Sequence, residues 1–181
     1  MSTRLTRGFF ARAPDVVAYE LVGCVMVVSR AKRRLRARIV ETEAYGGQTD
    51  PASHAYRGPT PRTAIMFGPA GFIYVYRSYG IHWCMNVVTG KADTASAVLL
   101  RGAELVDNDD TLFEGPNMHG PGLLTRALDV TGADNGQDAC HLPPDRFSFD
   151  SPPTRSGIHV GRSKRIGISK AQDRLWRFFE E

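Results

Sequence analysis

The stretch "CVMVVSRAKRRLRARIVETEAY", Cys24 to Tyr45, decides how the chain folds. "CVMVV" and "LRARIVETEAY" have the continuous or alternating apolar character of strands, and the cationic residues between them predict a turn. The second strand ends in Glu41, Glu43 and Tyr45, with Asp50 and His54 soon after. A buried strand ending in two carboxylates, a phenol and an imidazole admits three explanations: acid–base chemistry, a metal site or a solvated loop.

Working outward, "GFIYVYRSYGIHWCMNVVTG" places two β-rich runs on either side of Arg77-Ser78-Tyr79-Gly80, the pattern of a tight hairpin. "ASAVLLRGAEL" predicts another strand with Arg101 at its end, and "KRIGIS" and "LWRFFEE" predict late strands. "APDVVAYELVG" predicts a short helix, with Pro14 at the first helical position, Asp15 at the positive end of the dipole and Gly23 as the stop. Val16, Val17 and Leu21 would share its buried face. "GPGLLTRALDVTG" has the spacing of a second helix, ended by Gly132. Loops are expected from Gly46 to Pro61, over the acidic "DNDDTLFEGPN" and over the proline-rich "PPDRFSFDSPPTRSG". Strands and helices mix without regular βαβ alternation or internal repeats. The expected class is therefore α+β, or mixed α/β, as one compact domain over residues 1–181.

Composition bounds the remaining possibilities. The 181 residues are 42% hydrophobic and 23% charged, ordinary for a globular domain. The longest apolar run, "LVGCVMVV", is too short to span a bilayer, and "MSTRLTRGFF" lacks the apolar centre of a secretory signal. A cytoplasmic protein is expected, nucleoid-associated in a bacterium or nuclear in a eukaryote. Cys24, Cys84 and Cys140 are odd in number and widely spaced, with no CxxC, so neither a disulfide frame nor a zinc site is indicated. The net charge of +4 is modest, but "RAKRRLR" gathers five cations, and Arg57, Arg62, Arg77, Arg155, Arg162, Lys164 and Arg165 add to it. Such a pattern suits a polyanionic partner, against the blander alternative of a solvated turn.

Glu41, Glu43 and Tyr45 are spaced to share one face of a strand. A carboxylate beside an aromatic wall, partly shut off from water, gains basicity and can polarise a water molecule. The plainer alternative is a pair of solvated glutamates at a strand end. A metal site would recruit Glu41, Glu43, Asp50 and His54, but no HExxH or comparable spacing accompanies them. A serine hydrolase is excluded by the lack of a GxSxG elbow. Tyr74, Tyr76, Tyr79, His82 and Trp83 crowd the second hairpin. Cross-strand packing accounts for Tyr74 or Tyr76 but poorly for Tyr79, which falls in the turn. An apolar wedge beside cations is what minor-groove binders insert between base steps.

"RIVETEAYGGQTDPASHA", "GFIYVYRSYGIHWCMNVV" and "AVLLRGAEL" resemble, in order, the signature segments of the alkyladenine (3-methyladenine) DNA glycosylase family. "RLTRGFFARAPDVVAYELVGCVMV", "GPGLLTRAL", "RIGIS" and "WRFF" are similar to that family as well, so the resemblance covers most of the chain. It implies a single domain with a curved, largely antiparallel sheet, flanking short helices and a protruding hairpin that enters DNA. It also implies no metal and no cofactor. The expected activity is monofunctional excision of alkylated or deaminated purines from double-stranded DNA (3-methyladenine, 7-methylguanine, hypoxanthine, ethenoadenine), leaving an abasic site.

By position, the resemblance makes Glu43 the general base and Arg101 the arginine that helps hold the attacking water. A main-chain carbonyl near Ile166 would complete that water's hydrogen bonds. Tyr45, His54 and Tyr76 would contact the extruded base, Asn86 would line its pocket against the guanine amino group, and Tyr79 would fill the gap in the duplex. Glu41 is left structural. Two departures stand out: the short acidic "VDNDDTLFEG" replaces a longer basic segment, and the chain stops at "WRFFEE" before a last short strand. The domain is thus expected to be trimmed over 106–118 and at its end, or to lack segments there. The alternatives are a non-catalytic duplex-binding module of the same fold and a metal-dependent hydrolase using Glu41, Glu43 and Asp50. A monomer is the simplest expectation.

Overall fold

The computed structural model describes residues 2–30, 33–109 and 111–181. Ala31 and Lys32 of the basic turn and Asp110 of the acidic loop lie outside the described residues. The expected hairpin forms from β1 (Val25–Arg30) and β2 (Arg33–Tyr45), paired antiparallel from Val25↔Arg38 to Arg30↔Arg33. β3 (Ile73–Ser78) and β4 (His82–Thr89) make the second hairpin, and β5 (Ser96–Leu105) joins it to β2. β6 (Phe147–Asp150) pairs with β1. β8 (Arg177–Glu180) pairs with β7 (Val160–Ser163) and with Glu41 to Glu43 of β2. All these pairings are antiparallel, in the order β3-β4-β5-β2-β1-β6 with β8 continuing along the edge of β2 beyond β1, and the sheet curls into a half-barrel. The α+β class expected from the sequence is what the fold shows.

Among the described residues, three short α-helices flank the sheet: α1 (Arg7–Phe10), α2 (Pro14–Leu21) and α3 (Pro121–Ala127). α2 begins on Pro14 as expected, but its buried residues are Val17, Ala18 and Leu21, while Val16 is 41% exposed. Burying each large aliphatic side chain of that face contributes about 1.5–3 kcal/mol, which a helix of this length needs in order to persist. Thr42 Oγ1 donates to the Ala18 carbonyl at 2.8 Å, fixing α2 against the back of β2.

Several boundaries differ from expectation. Arg101 sits inside β5 rather than at its end. α3 stops at Ala127, and Gly132 opens a 3₁₀ turn to Asp134 instead of closing the helix. "FSFD", hidden in a proline-rich segment, is the strand β6. "KRIGIS" is a loop, because the side chain of Arg165 turns inward to an ion pair and Gly167 takes φ +74°.

The pairing of β2 with β5 determines what the sheet presents. The register runs Ile39↔Ala103, Glu41↔Gly102, Thr42↔Leu100, so Val40 on β2 and Arg101 on β5 are both passed over. These two bulges change the parity of each strand. Ala37, Ile39, Ala103 and Leu105 lie in the main core before the bulges, and Ala44, Leu100 and Val98 lie there after them. Strict alternation would have sent Glu41, Glu43 and Tyr45 to the core with Ile39; the bulges send them to the other face. Gly102 eases the approach, since a Cβ there would stand a tight 3.1 Å from Glu41 Cβ.

Candidate active site

Across the sheet from α2 lies a cavity of about 660 Å³. Its walls include Tyr45, His54, Tyr74, Tyr76, Asn86, Arg101 and Ile166, and Tyr79 stands at its edge. The structure thus gathers the expected pocket residues around one hollow. Glu43 is close by but does not open into it: the residue is 0% exposed, and the groups that touch it form the wall.

Glu43 is held on both oxygens. The Ile166 N–H donates to Oε1 at 2.7 Å, and the Tyr45 hydroxyl donates to Oε2 at 2.8 Å. Arg101 Nε is 3.5 Å from Oε1. Each carboxylate oxygen has two lone-pair sites, so one remains on each for a further donor such as water. Burial pushes the Glu43 carboxyl above the usual range, against the downward pull of Arg101, the Ile166 N–H and the Tyr45 hydroxyl. At Ile166, the main-chain group that meets Glu43 is the N–H; a carbonyl had been expected to act near this point.

Glu41 stands differently. Its Oε1 accepts from Arg101 Nε at 2.8 Å and from Arg177 Nε at 2.6 Å. Burial works to raise its pKa, but the hydrogen bonds and charges of Arg177 and Arg101 outweigh it and hold the carboxyl below the usual range. Two carboxylates two residues apart therefore have environments that drive their pKa values in opposite directions.

The rings form a connected wall. His54 and Tyr76 meet edge to face at a centroid distance of 4.5 Å, and Tyr74 lies tilted against Tyr76 at 5.5 Å. His54 Nδ1 is 3.2 Å from the Tyr74 hydroxyl. Burial, assisted by the charge of Arg62, lowers the His54 pKa, so the imidazole is neutral at pH 7. Arg62 itself stacks over the Tyr76 ring at 5.1 Å. Asn86 Nδ2 donates to the Tyr74 carbonyl at 3.0 Å, which fixes the amide against the pocket wall.

Asp50 is not a free ligand. Arg165 NH1 and NH2 reach its two oxygens at 2.5 and 2.9 Å, with both side chains 0% exposed. Asp50 also accepts from the backbone of Gly46 and Ala52, so it organises the loop after β2. Arg165 donates to the Ala44 carbonyl and stacks 4.7 Å from the Tyr45 ring, anchoring the segment that offers the Ile166 N–H to Glu43. With Asp50 held by Arg165 and Glu41 by two arginines, two of the three carboxylates considered for a metal are committed elsewhere. Among the described residues no group of three His, Cys, Asp or Glu side chains is placed to hold a metal ion.

Tyr79 is 90% exposed at the tip of the β3–β4 hairpin. The turn is closed by the Ile81 N–H on the Ser78 carbonyl, with Tyr79 at φ +49° and Gly80 at φ +68°. A tyrosine in left-handed backbone costs about 1–2 kcal/mol. Its ring is thrust outward with no burial to offset that. The described cations of the β1–β2 hairpin, Arg30, Arg33, Arg34 and Arg36, lie at the far end of β2 from Glu43, and part of their charge is neutralised: Arg30 pairs with Asp129 and Arg36 with Asp150. Sequence reasoning missed Arg165 and Arg177 as members of the site. Arg165 stood out only as one of the scattered cations and Arg177 only as part of "LWRFFEE", because their partners are distant in sequence.

No helix among the described residues is long and apolar enough to cross a membrane. The sequence profile of the Methylpurine-DNA glycosylase (MPG) family matches residues 8–181. Three curated relatives carry the name "Putative 3-methyladenine DNA glycosylase". The one from Frankia casuarinae is 50% identical over 157 residues, covering 78% of this chain and 74% of its own. The one from Rhodopseudomonas palustris CGA009 is 45% identical over 181 residues, covering 96% and 83%. The one from Anaeromyxobacter dehalogenans is 47% identical over 177 residues, covering 97% and 81%. With the half-barrel, the aromatic cavity and the enclosed glutamate already established, these matches lead to one conclusion: the chain belongs to the methylpurine-DNA glycosylase family and is by that membership a DNA glycosylase, a hydrolase of alkylation-damage repair.

Proposed function

We propose that this glycosylase is monofunctional, extrudes a damaged purine nucleotide from duplex DNA into the aromatic cavity, and hydrolyses its N-glycosidic bond with water activated by Glu43. One observation carries the reading: a carboxylate with raised pKa, held on both oxygens, lies directly behind the ring and guanidinium that wall the cavity. Cleavage develops positive charge on the sugar, and a nearby carboxylate both takes the water's proton and stabilises that charge, typically for roughly 10²–10⁴-fold. Because Glu43 is covered in the free protein, Tyr45 has to turn aside before a water reaches Oε2. A base stacking on Tyr45 supplies the reason for it to move.

Extrusion costs a few kcal/mol, least for a damaged base, and the outward ring of Tyr79 is suited to occupy the vacancy. Tyr45, Tyr76 and neutral His54 favour an electron-poor or cationic base by about 0.5–2 kcal/mol. Asn86 lines the wall where it would meet a guanine amino group, and Arg101 presents its guanidinium where the water would sit. The substrates we infer are 3-methyladenine, 7-methylguanine, hypoxanthine and ethenoadenine in double-stranded DNA. The enzyme works as a monomer of one domain over residues 1–181, in the cytoplasm, without metal or cofactor.

The test is mass detection of free bases released from methylated duplex DNA with a chelator present. Released 3-methyladenine with an unbroken strand supports the proposal. Duplex binding without release supports a non-catalytic module, and activity restored only by a divalent ion supports a metal-dependent hydrolase.

A further inference from the structure

Glu43 faces two arginines, and neither donates a hydrogen bond to it. In the β2–β8 ladder Glu43 stands directly opposite Arg177. The bulged Arg101 on β5 is within 3.5 Å. An isolated carboxylate so placed would be expected to capture one or both guanidiniums, because bidentate pairing is the strongest contact available to it. Instead Arg101 Nε and Arg177 Nε both donate to Oε1 of Glu41. Arg177 NH1 is further tied to Ser163 Oγ at 3.0 Å, and its guanidinium lies 4.7 Å over the Phe179 ring. Among the described residues, the two terminal nitrogens of Arg101 have no hydrogen-bond partner, and Arg101 lines the cavity.

We propose that Glu41 is a positioning residue for the reaction: it draws Arg101 and Arg177 away from Glu43, so that Glu43 keeps open lone pairs and Arg101 turns its free nitrogens to the cavity. This rests on the proposed role of Glu43 as base. The geometry assigns Glu41 a task that neither its exposure nor its spacing announced. Its negative charge also opposes ionisation of Glu43. The other groups facing Glu43 are Tyr45 from β2, Arg101 from β5, Arg177 from β8 and the Ile166 N–H, with Arg165 behind the Tyr45 ring. Loss of the Glu41 charge removes the one repulsive charge of this set and frees two attractive ones.

The test is single-turnover release of 3-methyladenine from methylated duplex as a function of pH. That lesion is already cationic, so the acid limb of the profile reports the base and not protonation of the leaving group. Variants are first matched to wild type by near-ultraviolet circular dichroism. Glu41→Gln keeps the shape and an acceptor oxygen but not the charge. It is expected to lower the rate at pH 7 by about tenfold or more and to move the acid limb down by about one pH unit. Affinity for a duplex carrying an abasic-site mimic should stay within about threefold. Glu41→Asp keeps the charge, and its acid limb is expected at the wild-type pH. A merely structural role would slow the reaction without moving the limb. An unmoved limb in Glu41→Gln, or a displaced one in Glu41→Asp, overturns the proposal. If Glu43→Gln is inactive while Glu41→Gln keeps the wild-type limb, only the role of Glu41 falls. If Glu43→Gln turns over normally, the assignment of the base falls as well.

Discussion

Tyr45 donates its phenolic hydrogen to Oε2 of Glu43 over 2.8 Å, so a ring that walls the cavity also closes the acid behind it. That hydrogen bond favours the ionised carboxylate. Tyr45→Phe keeps the ring and deletes the donor, so the Glu43 pKa rises further and the acid limb of the rate profile moves to higher pH. Above that limb the rate should hold within about tenfold, since stacking survives. A profile unchanged in position would mean the contact has no hold on the base.

Glu43→Gln should reduce base release by about 10²-fold or more while leaving lesion-duplex affinity nearly intact. The same substitution should stabilise the fold at neutral pH. A carboxyl whose folded pKa is raised contributes stability fully present below its unfolded pKa, near 4.3, and lost as pH rises through the folded value. Glutamine imitates the protonated form at every pH. Thermal melting should therefore show the variant above wild type at pH 7, with the gap closing towards pH 4. A variant melting below wild type at pH 7 would contradict the burial of an ionised acid.

Tyr79→Gly separates folding from extrusion. The left-handed backbone at φ +49° suits glycine, and the ring has no intramolecular burial to lose. The melting temperature should stay within a few degrees, while single-turnover release from a duplex falls by about tenfold or more for want of a wedge. Release from a single-stranded oligonucleotide should fall much less; equal losses on both substrates would remove the wedge from the account.

Asp50→Asn leaves Arg165 charged and enclosed with no anionic partner, a change worth about 3–5 kcal/mol in buried pairs. At roughly 2–4 °C per kcal/mol for a chain of this size, the melting temperature should drop by about 6–20 °C. The pH dependence has the opposite sign to that of Glu43. Burial acts to raise the Asp50 pKa, but Arg165 and the Gly46 and Ala52 N–H groups outweigh it, and the pair's contribution is present above the unfolded pKa and lost as pH falls through the depressed folded one. Acid unfolding that is the same for wild type and variant would show that the pair contributes nothing.

Much of this site is legible in the sequence. The spacing of Glu41, Glu43 and Tyr45 announced a shared face, and Tyr79 announced itself as a large ring in a turn. The resemblance to a known family pointed to His54, Tyr76, Asn86 and Arg101, which the structure places around one cavity, and supplied the roles proposed for them. What stayed hidden was the displacement that turns those three β2 residues to the cavity's side of the sheet. Nothing in "ARIVETEAY" marks the bulge at Val40, since the apolar alternation through Ala37 and Ile39 continues smoothly into the glutamates. Nor does "VLLRGAEL" show that Arg101 leaves the ladder rather than ending the strand. The Arg165–Asp50 and Arg177–Glu41 pairs are tertiary facts joining positions more than a hundred residues apart, and local pattern carries no trace of them. β6 was missed because prolines on both sides masked a four-residue run whose pairing with β1 is decided by burial rather than propensity.

The Arg165–Asp50 link spans 115 positions of the chain, and β8 closes on β2 from still further along. During synthesis, the strand bearing Glu43 leaves the ribosome early and waits for the segment that will enclose it. An unfinished chain thus holds an exposed, ordinary glutamate, and on the role proposed for Glu43 a translation product broken off before Arg165 would lack the enclosed base.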